Sequence, residues 1–192
     1  MTTTSASVPE DPPDIAELSD RIAELERTTK RIADELEIRR LLAWFGFYAD
    51  HDLNSEWAGL FTPDATFDVM MYHGENISEM DASRFRRTVY RGRDEMVREV
   101  LLSPAHQAVL GRSQHHVDGQ PTVVDFESDT GATATTYGVL YIASDSPGRA
   151  VEHLNLSVNR WHFVKDGRWY IDSCVRRRLG AETEPLLPEI RR

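Results

Sequence analysis

GATATTYGVLYIASDSPGRAVEHLNLSVNRWHFVKDGRWYIDSCVRRRL, residues 131–179, holds three runs rich in Val, Thr, Tyr and Trp, divided by short turn-forming stretches. Ala132–Ala143, Ala150–Val164 and Arg168–Leu179 have strand composition, while Ser146–Gly148 and Asp166–Gly167 have the residues of tight turns. Three long strands joined in this way predict an antiparallel meander. Ser113–Val117 and Thr122–Ser128 precede it as shorter strands, the second closed by a turn at Asp129–Gly131.

Upstream the period changes from two to between three and four. Ile15, Leu18, Ile22, Leu25, Thr29, Ile32 and Leu36 alternate spacings of three and four, a heptad seam on a helix that Asp11 would cap with Pro12 in its first turn. So narrow a stripe needs a partner, either the body of the same domain or a second subunit; we expect a homo-oligomer. Beyond Glu37 the apolar face widens through Ile38, Leu41, Leu42, Phe45 and Ala49, as a helix entering a core requires. A second helix is expected around Ser55–Phe61, a turn at Thr62–Asp64, a strand at Ala65–Val69 and another at Thr88–Arg91. Asp94 and Glu95 then suit the start of a helix that continues through Met96, Val97 and Val100. Residues 70–86 have no clear period; whether they close over a site is open. Helices first and strands later make the chain α+β.

Composition narrows the function. The chain has 192 residues, 40% of them hydrophobic and 28% charged, with a formal net charge of −10. An acidic chain is a poor match for nucleic-acid phosphates or anionic membranes, so neither is expected as a partner. Arg176, Arg177 and Arg178 read as a solvated edge. A single cysteine, Cys174, with no visible secretory signal, fits the cytoplasm. The seven histidines show no HxH, HExxH or Cys/His spacing, and there is no phosphate loop, GxGxxG or GxSxG motif. No metal or cofactor is expected.

The order of motifs resembles the SnoaL-like family of the nuclear transport factor 2-like superfamily, with its scytalone dehydratase and ketosteroid isomerase type of fold. The carrying residues are Glu37–Leu42, Asp50, Trp57 and Leu60–Asp68, then Tyr90–Glu95, Ser113–His115, and Asp166–Trp169 in the last hairpin. The resemblance covers residues 37–180. It leaves 1–10 as a disordered leader, 11–36 as a helical extension and 181–192 as a tail. It implies a cone-shaped curved antiparallel sheet wrapped around the N-terminal helices, with a central cavity.

Two residues stand out as catalytic candidates. Asp50 falls at the end of the apolar helix beside Trp44, Phe45, Phe47 and Tyr48, where burial raises a carboxyl pKa unless a partner opposes it. His115 lies in a short strand, where only one of His115 and His116 can face the cavity. In scytalone dehydratase and hexachlorocyclohexane dehydrochlorinase, which this chain resembles in fold, a helix-end aspartate and a strand histidine form an acid–base dyad. That resemblance assigns the pair to Asp50 and His115. Alternation along the long strand puts His153, Asn155, Ser157, Asn159, Trp161 and Phe163 on one face, mixed as a pocket wall would be. Asn155, Asn159 and Trp161, with Trp44, Tyr48 and Tyr137, are therefore the expected substrate contacts; Tyr72 and Tyr141 are further hydroxyl donors.

The resulting expectation is a cofactor-free lyase or isomerase, of dehydratase, cyclase or double-bond isomerase type, acting on a ring-containing small molecule such as a polyketide. The alternative is a non-catalytic ligand-binding or assembly subunit, as in dioxygenase small subunits.

Overall fold

Ile38, Leu41, Leu42, Phe45 and Ala49 share one face of a helix, and all are buried, as the widened apolar spacing after Glu37 requires. The structure, a computed structural model, describes residues 14–72, 85–116, 122–144 and 151–178. Helix α1 spans Ile15–Asp50. The chain divides into two compact units, Met1–Glu35 and Leu36–Arg192. In the first, Asp14 accepts from the Ala16 N–H, and the heptad positions Ile15, Leu18, Ile22, Leu25 and Ile32 are exposed. The expected Asp11–Pro12 cap, the leader, residues 73–84 of the polar loop and the tail lie outside the described residues.

The second unit continues with α2 (Asn54–Ala58), β1 (Phe61–Tyr72), β2 (Phe85–Arg91) and α3 (Arg93–Met96), which winds on as a π turn through Val97–Leu101. Then come α4 (Pro104–Gln107), β3 (Ser113–His116), β4 (Val123–Phe126), β5 (Gly131–Ala143), β6 (Val151–Asp166) and β7 (Arg168–Arg178). The seven strands form one curved, unclosed sheet in the order β2-β1-β7-β6-β5-β3, with β4 also pairing β5. The meander β5-β6-β7 is antiparallel, as its turns dictate. β1 runs parallel to β7, the one parallel pair among the described strands.

Two local readings change. The expected turn at Thr62–Asp64 is part of β1, where the register against β7 slips between Phe61↔Ile171 and Thr66↔Ser173. Pro63, which has no N–H to give a ladder, sits in that interruption. The helix expected to reach Phe61 stops at Ala58, and Phe61 already belongs to the sheet.

The core of this unit gathers around Phe45. Its ring lies 5.4 Å from Trp57, 6.0 Å from Phe61, 6.0 Å from Phe67 and 5.2 Å from Trp161. All five rings are buried, and full burial of a side chain this large contributes about 1.5–3 kcal/mol.

β7 carries a bulge. Phe163 pairs with Ile171 and His162 with Ser173, so Asp172 has no counterpart on β6. Before it, Trp169 and Ile171 are the buried residues; after it the parity changes and Cys174 is buried. The arginine run is accordingly not a solvated edge. Arg176 turns inward over the Phe45 and Phe67 rings, at 5.6 and 5.7 Å. Arg177 turns to the other face and holds Asp68 at 2.9 Å, alongside Arg87 at 2.7 Å. Arg178 is exposed. Burial of Asp68 would raise its carboxyl pKa, but the two guanidinium groups overcome this and hold it down at about 2.

Candidate active site

Asp50 is the last residue of α1 because the chain reverses immediately after it. Asp52 takes a left-handed conformation, φ 57, which aspartate tolerates better than most side chains, and the Leu53 N–H donates to the Tyr48 carbonyl at 3.0 Å. One turn earlier, Gly46 has no side chain to hold β3 away: a Cβ there would overlap the His115 carbonyl. Helix and strand therefore meet with almost nothing between them. That contact puts the Asp50 carboxylate against the open edge of β3, the last strand of the sheet on that side.

The edge is what the carboxylate binds. Asp50 Oδ2 accepts the His115 backbone N–H at 2.7 Å. Asp50 Oδ1 accepts from the Ser113 hydroxyl at 3.0 Å and from His115 Nδ1. Ser113 and His115 are two apart on a strand, so both side chains reach the same partner. Asp50 is 6% exposed. Burial would raise its pKa, but the hydrogen bonds and charge of His115, with the Ser113 hydroxyl, win and hold it below its ordinary value. An ionised carboxylate can only accept, which fixes the hydrogen of neutral His115 on Nδ1 and leaves the Nε2 lone pair for chemistry.

His106, on α4, backs this pair. Its Nε2 donates to the Ala49 carbonyl at 3.0 Å, and its ring lies 6.0 Å from that of His115. Burial, then the neighbouring His115, lowers its pKa, so it stays neutral. The dyad borders a hollow of about 630 Å³, whose walls include Ala43, Phe47, His51, Arg112, Gln114 and Ala143. The rings of Phe47 and His51 stack at 4.1 Å on its helical side.

The expected substrate contacts divide. Trp44 and Tyr48 stack on each other at 5.0 Å and do not line this hollow. They sit one residue past Ala43 and Phe47, about 100° around the helix from that wall. Tyr137 and Tyr141 fall on the exposed face of β5, opposite its buried alternation. Asn155 pairs by backbone with Leu140, itself paired with His115; its side chain, like those of His116, Tyr72 and His153, lies outside the described residues.

Asn159 and Trp161 are fully buried and form a second polar group. Trp161 Nε1 donates to Thr136 Oγ1 at 3.0 Å, and Asn159 Nδ2 donates to the same oxygen at 3.2 Å. Asn159 Oδ1 accepts from Ser157 at 3.2 Å and from Arg176 Nε at 2.8 Å. The space comes from Gly138, where a Cβ would crowd Ser157 Oγ at 2.6 Å and Asn159 Nδ2 at 2.7 Å.

Burial pushes the Cys174 thiol up to about 12, which makes it a poor nucleophile. Among the described residues no group of three His, Cys, Asp or Glu could hold a metal, and no helix is long and apolar enough to cross a membrane.

Comparison with known proteins agrees with this architecture. The SnoaL-like domain profile matches residues 30–175. No curated protein matches the chain. Among solved structures, an NTF2-like protein with a cystatin-like fold from Novosphingobium aromaticivorans is 21% identical, with a TM-score of 0.64, over 91% of this chain and 97% of that one. A hexachlorocyclohexane dehydrochlorinase from Novosphingobium barchaimii is 16% identical, with a TM-score of 0.58, over 79% of this chain and 90% of that one. A Mycobacterium tuberculosis protein of unknown function is 21% identical, with a TM-score of 0.60, over 84% and 81%. At these identities the likeness is one of fold.

Proposed function

The chain belongs to the SnoaL-like domain family, and from that premise we propose that it is a cofactor-free small-molecule lyase or isomerase, of dehydratase, cyclase or double-bond isomerase type. The observation that carries this reading is the Asp50–His115 hydrogen bond at the edge of the hollow. His115 Nε2 takes a proton from a substrate carbon next to a carbonyl, and the ionised Asp50 stabilises the imidazolium that forms. The same nitrogen then returns that proton, either to a departing hydroxyl, which leaves as water, or to another carbon, which moves the double bond. A dehydrochlorinase among proteins of similar fold supports proton abstraction coupled to loss of a leaving group. The exposed Phe47 ring on the wall supports a ring-containing substrate, for which a polyketide-type ketone is our choice, handled in the cytoplasm.

The test is deuterium exchange at the α-carbon of small cyclic ketones, followed by NMR. His115→Ala and Asp50→Asn should each slow exchange by about 10²–10⁴-fold with the fold retained. Unchanged exchange in both variants would remove the dyad.

The exposed apolar stripe Ile15, Leu18, Ile22, Leu25 and Ile32 favours a second reading, an assembly or ligand-binding subunit that associates through this helix, in the simplest case with its own copy. A pull-down that recovers a stoichiometric large subunit, with no exchange activity in the free chain, would favour it.

A further inference from the structure

We propose that Arg176, oriented by Asn159, forms a second subsite on the inner face of β6 and β7 that takes the carboxylate of an organic acid. The proposal builds on the reading of the dyad by naming a second group on its substrate.

The guanidinium is unevenly satisfied. Its Nε donates to Asn159 Oδ1 at 2.8 Å, while Nη2 is buried with no hydrogen-bond partner. Among the described residues no carboxylate meets it; its central carbon lies over the Phe45 and Phe67 rings at 5.6 and 5.7 Å. A desolvated cation held by one amide oxygen and two aromatic faces is incompletely compensated. The adjacent arginine shows what this sheet does when a guanidinium is structural: Arg177 meets both oxygens of Asp68 at 2.9 Å. Arg176 is the same side chain with no carboxylate partner among the described residues.

The ligand class follows from shape and charge. With Nε committed to Asn159, the two Nη nitrogens present an end-on fork, which matches the two oxygens of a carboxylate. One positive charge in an aromatic setting balances a monoanion; a phosphate dianion would leave a buried charge unpaired. Asn159 is locked in turn by Ser157 and Thr136, so the fork is held before a ligand arrives. Nη2 is closed off from solvent although the residue as a whole is half-buried, so a carboxylate reaches it only as its neighbours give way.

Position ties the subsite to the dyad. Thr136, Asn159 and Arg176 form one cross-strand row, and His115 pairs with Leu140, four residues along β5 from Thr136. Four residues correspond to about 13 Å along the strand, and the three strand spacings from β7 to β3 to about 14 Å across it, so the long Arg176 side chain and a molecule of several rings together bridge the two groups. A substrate anchored by its carboxylate at Arg176 would extend along the inner face toward His115.

The experiment is calorimetric titration of the full chain with benzoate and with benzamide, which share a ring and differ in charge. Benzoate should bind at least about tenfold more tightly, a preference that Arg176→Met abolishes and Arg176→Lys reduces. If either variant is unfolded, the wild-type protein decides: the Arg176 side-chain ¹⁵N signal should move with benzoate and not with benzamide. Equal affinity for both probes, or a benzoate shift at Arg112 or Arg177 with Arg176 still, overturns the subsite. His115→Ala should keep the benzoate preference. A chain that exchanges α-protons but does not prefer benzoate therefore loses the subsite alone, and one that prefers benzoate but never exchanges loses the dyad alone.

Discussion

The Gly46 α-carbon sits against the His115 carbonyl with no room for a methyl group between them. One missing side chain thus sets the distance between helix and strand from which the Asp50–His115 pair is built.

Gly46→Ala tests that contact. Helix propensity alone favours alanine by about 1 kcal/mol. The overlap with a strand carbonyl, which cannot rotate away, should reverse the sign and cost about 1–3 kcal/mol in urea unfolding. A variant as stable as its parent would mean that α1 and β3 are further apart than described.

Ser113→Ala removes one of three donors from Asp50. The carboxyl should titrate at higher pH than in the parent, seen in the ¹³C shift of its side-chain carbon, with about 0.5–1.5 kcal/mol lost from stability. An unmoved titration would show that the hydroxyl bonds elsewhere.

Asp68 governs acid stability on the outer face. Its carboxyl is held at about 2 when folded, against 3.8 ordinarily, so the unfolded chain binds more protons between those values. The contribution is complete above pH 3.8 and is lost as pH falls through about 2. Asp68→Asn should be less stable at neutral pH and lose less on acidification. Parallel pH profiles for the two proteins would contradict this.

His106 acts at milder pH. Its folded pKa lies below the ordinary 6.5, so stability is complete above 6.5 and declines as pH falls toward the folded value. His106→Gln keeps an N–H for the Ala49 carbonyl and cannot titrate. Its urea midpoint should be flatter than the parent's between about pH 5 and 7. Identical slopes would exclude His106 as the group responsible.

What could be read from the chain in advance follows the range of the interactions. The meander was legible because Asp166–Gly167 and the alternation on either side of it are local signals. The widened face of α1 was legible from the spacing of Ile38, Leu42, Phe45 and Ala49. Asp50 and His115 emerged through family resemblance rather than local pattern; 65 residues separate them, and no periodicity links them. The roles of Ser113, His106 and Gly46 could not be read from the chain because they exist only once α1, α4 and β3 are packed. Strand β1 was cut short because Pro63 reads as a turn, although a slip in register can hold it within a strand. Strict alternation did foresee that Asn159 and Trp161 share a face with Ser157, though these side chains serve one another first.

Asp172 is one residue more than β6 can match, and this surplus sorts two chemically identical neighbours. The strand is read in one frame up to Ile171 and in the other from Ser173 onward, so a guanidinium at 176 goes in and a guanidinium at 177 goes out. Nothing in either side chain makes that choice; a count does. If the strand ran on without the bulge, with Asp172 pairing in its turn, their destinations would swap, turning Arg177 toward the aromatic interior and Arg176 away from Asn159.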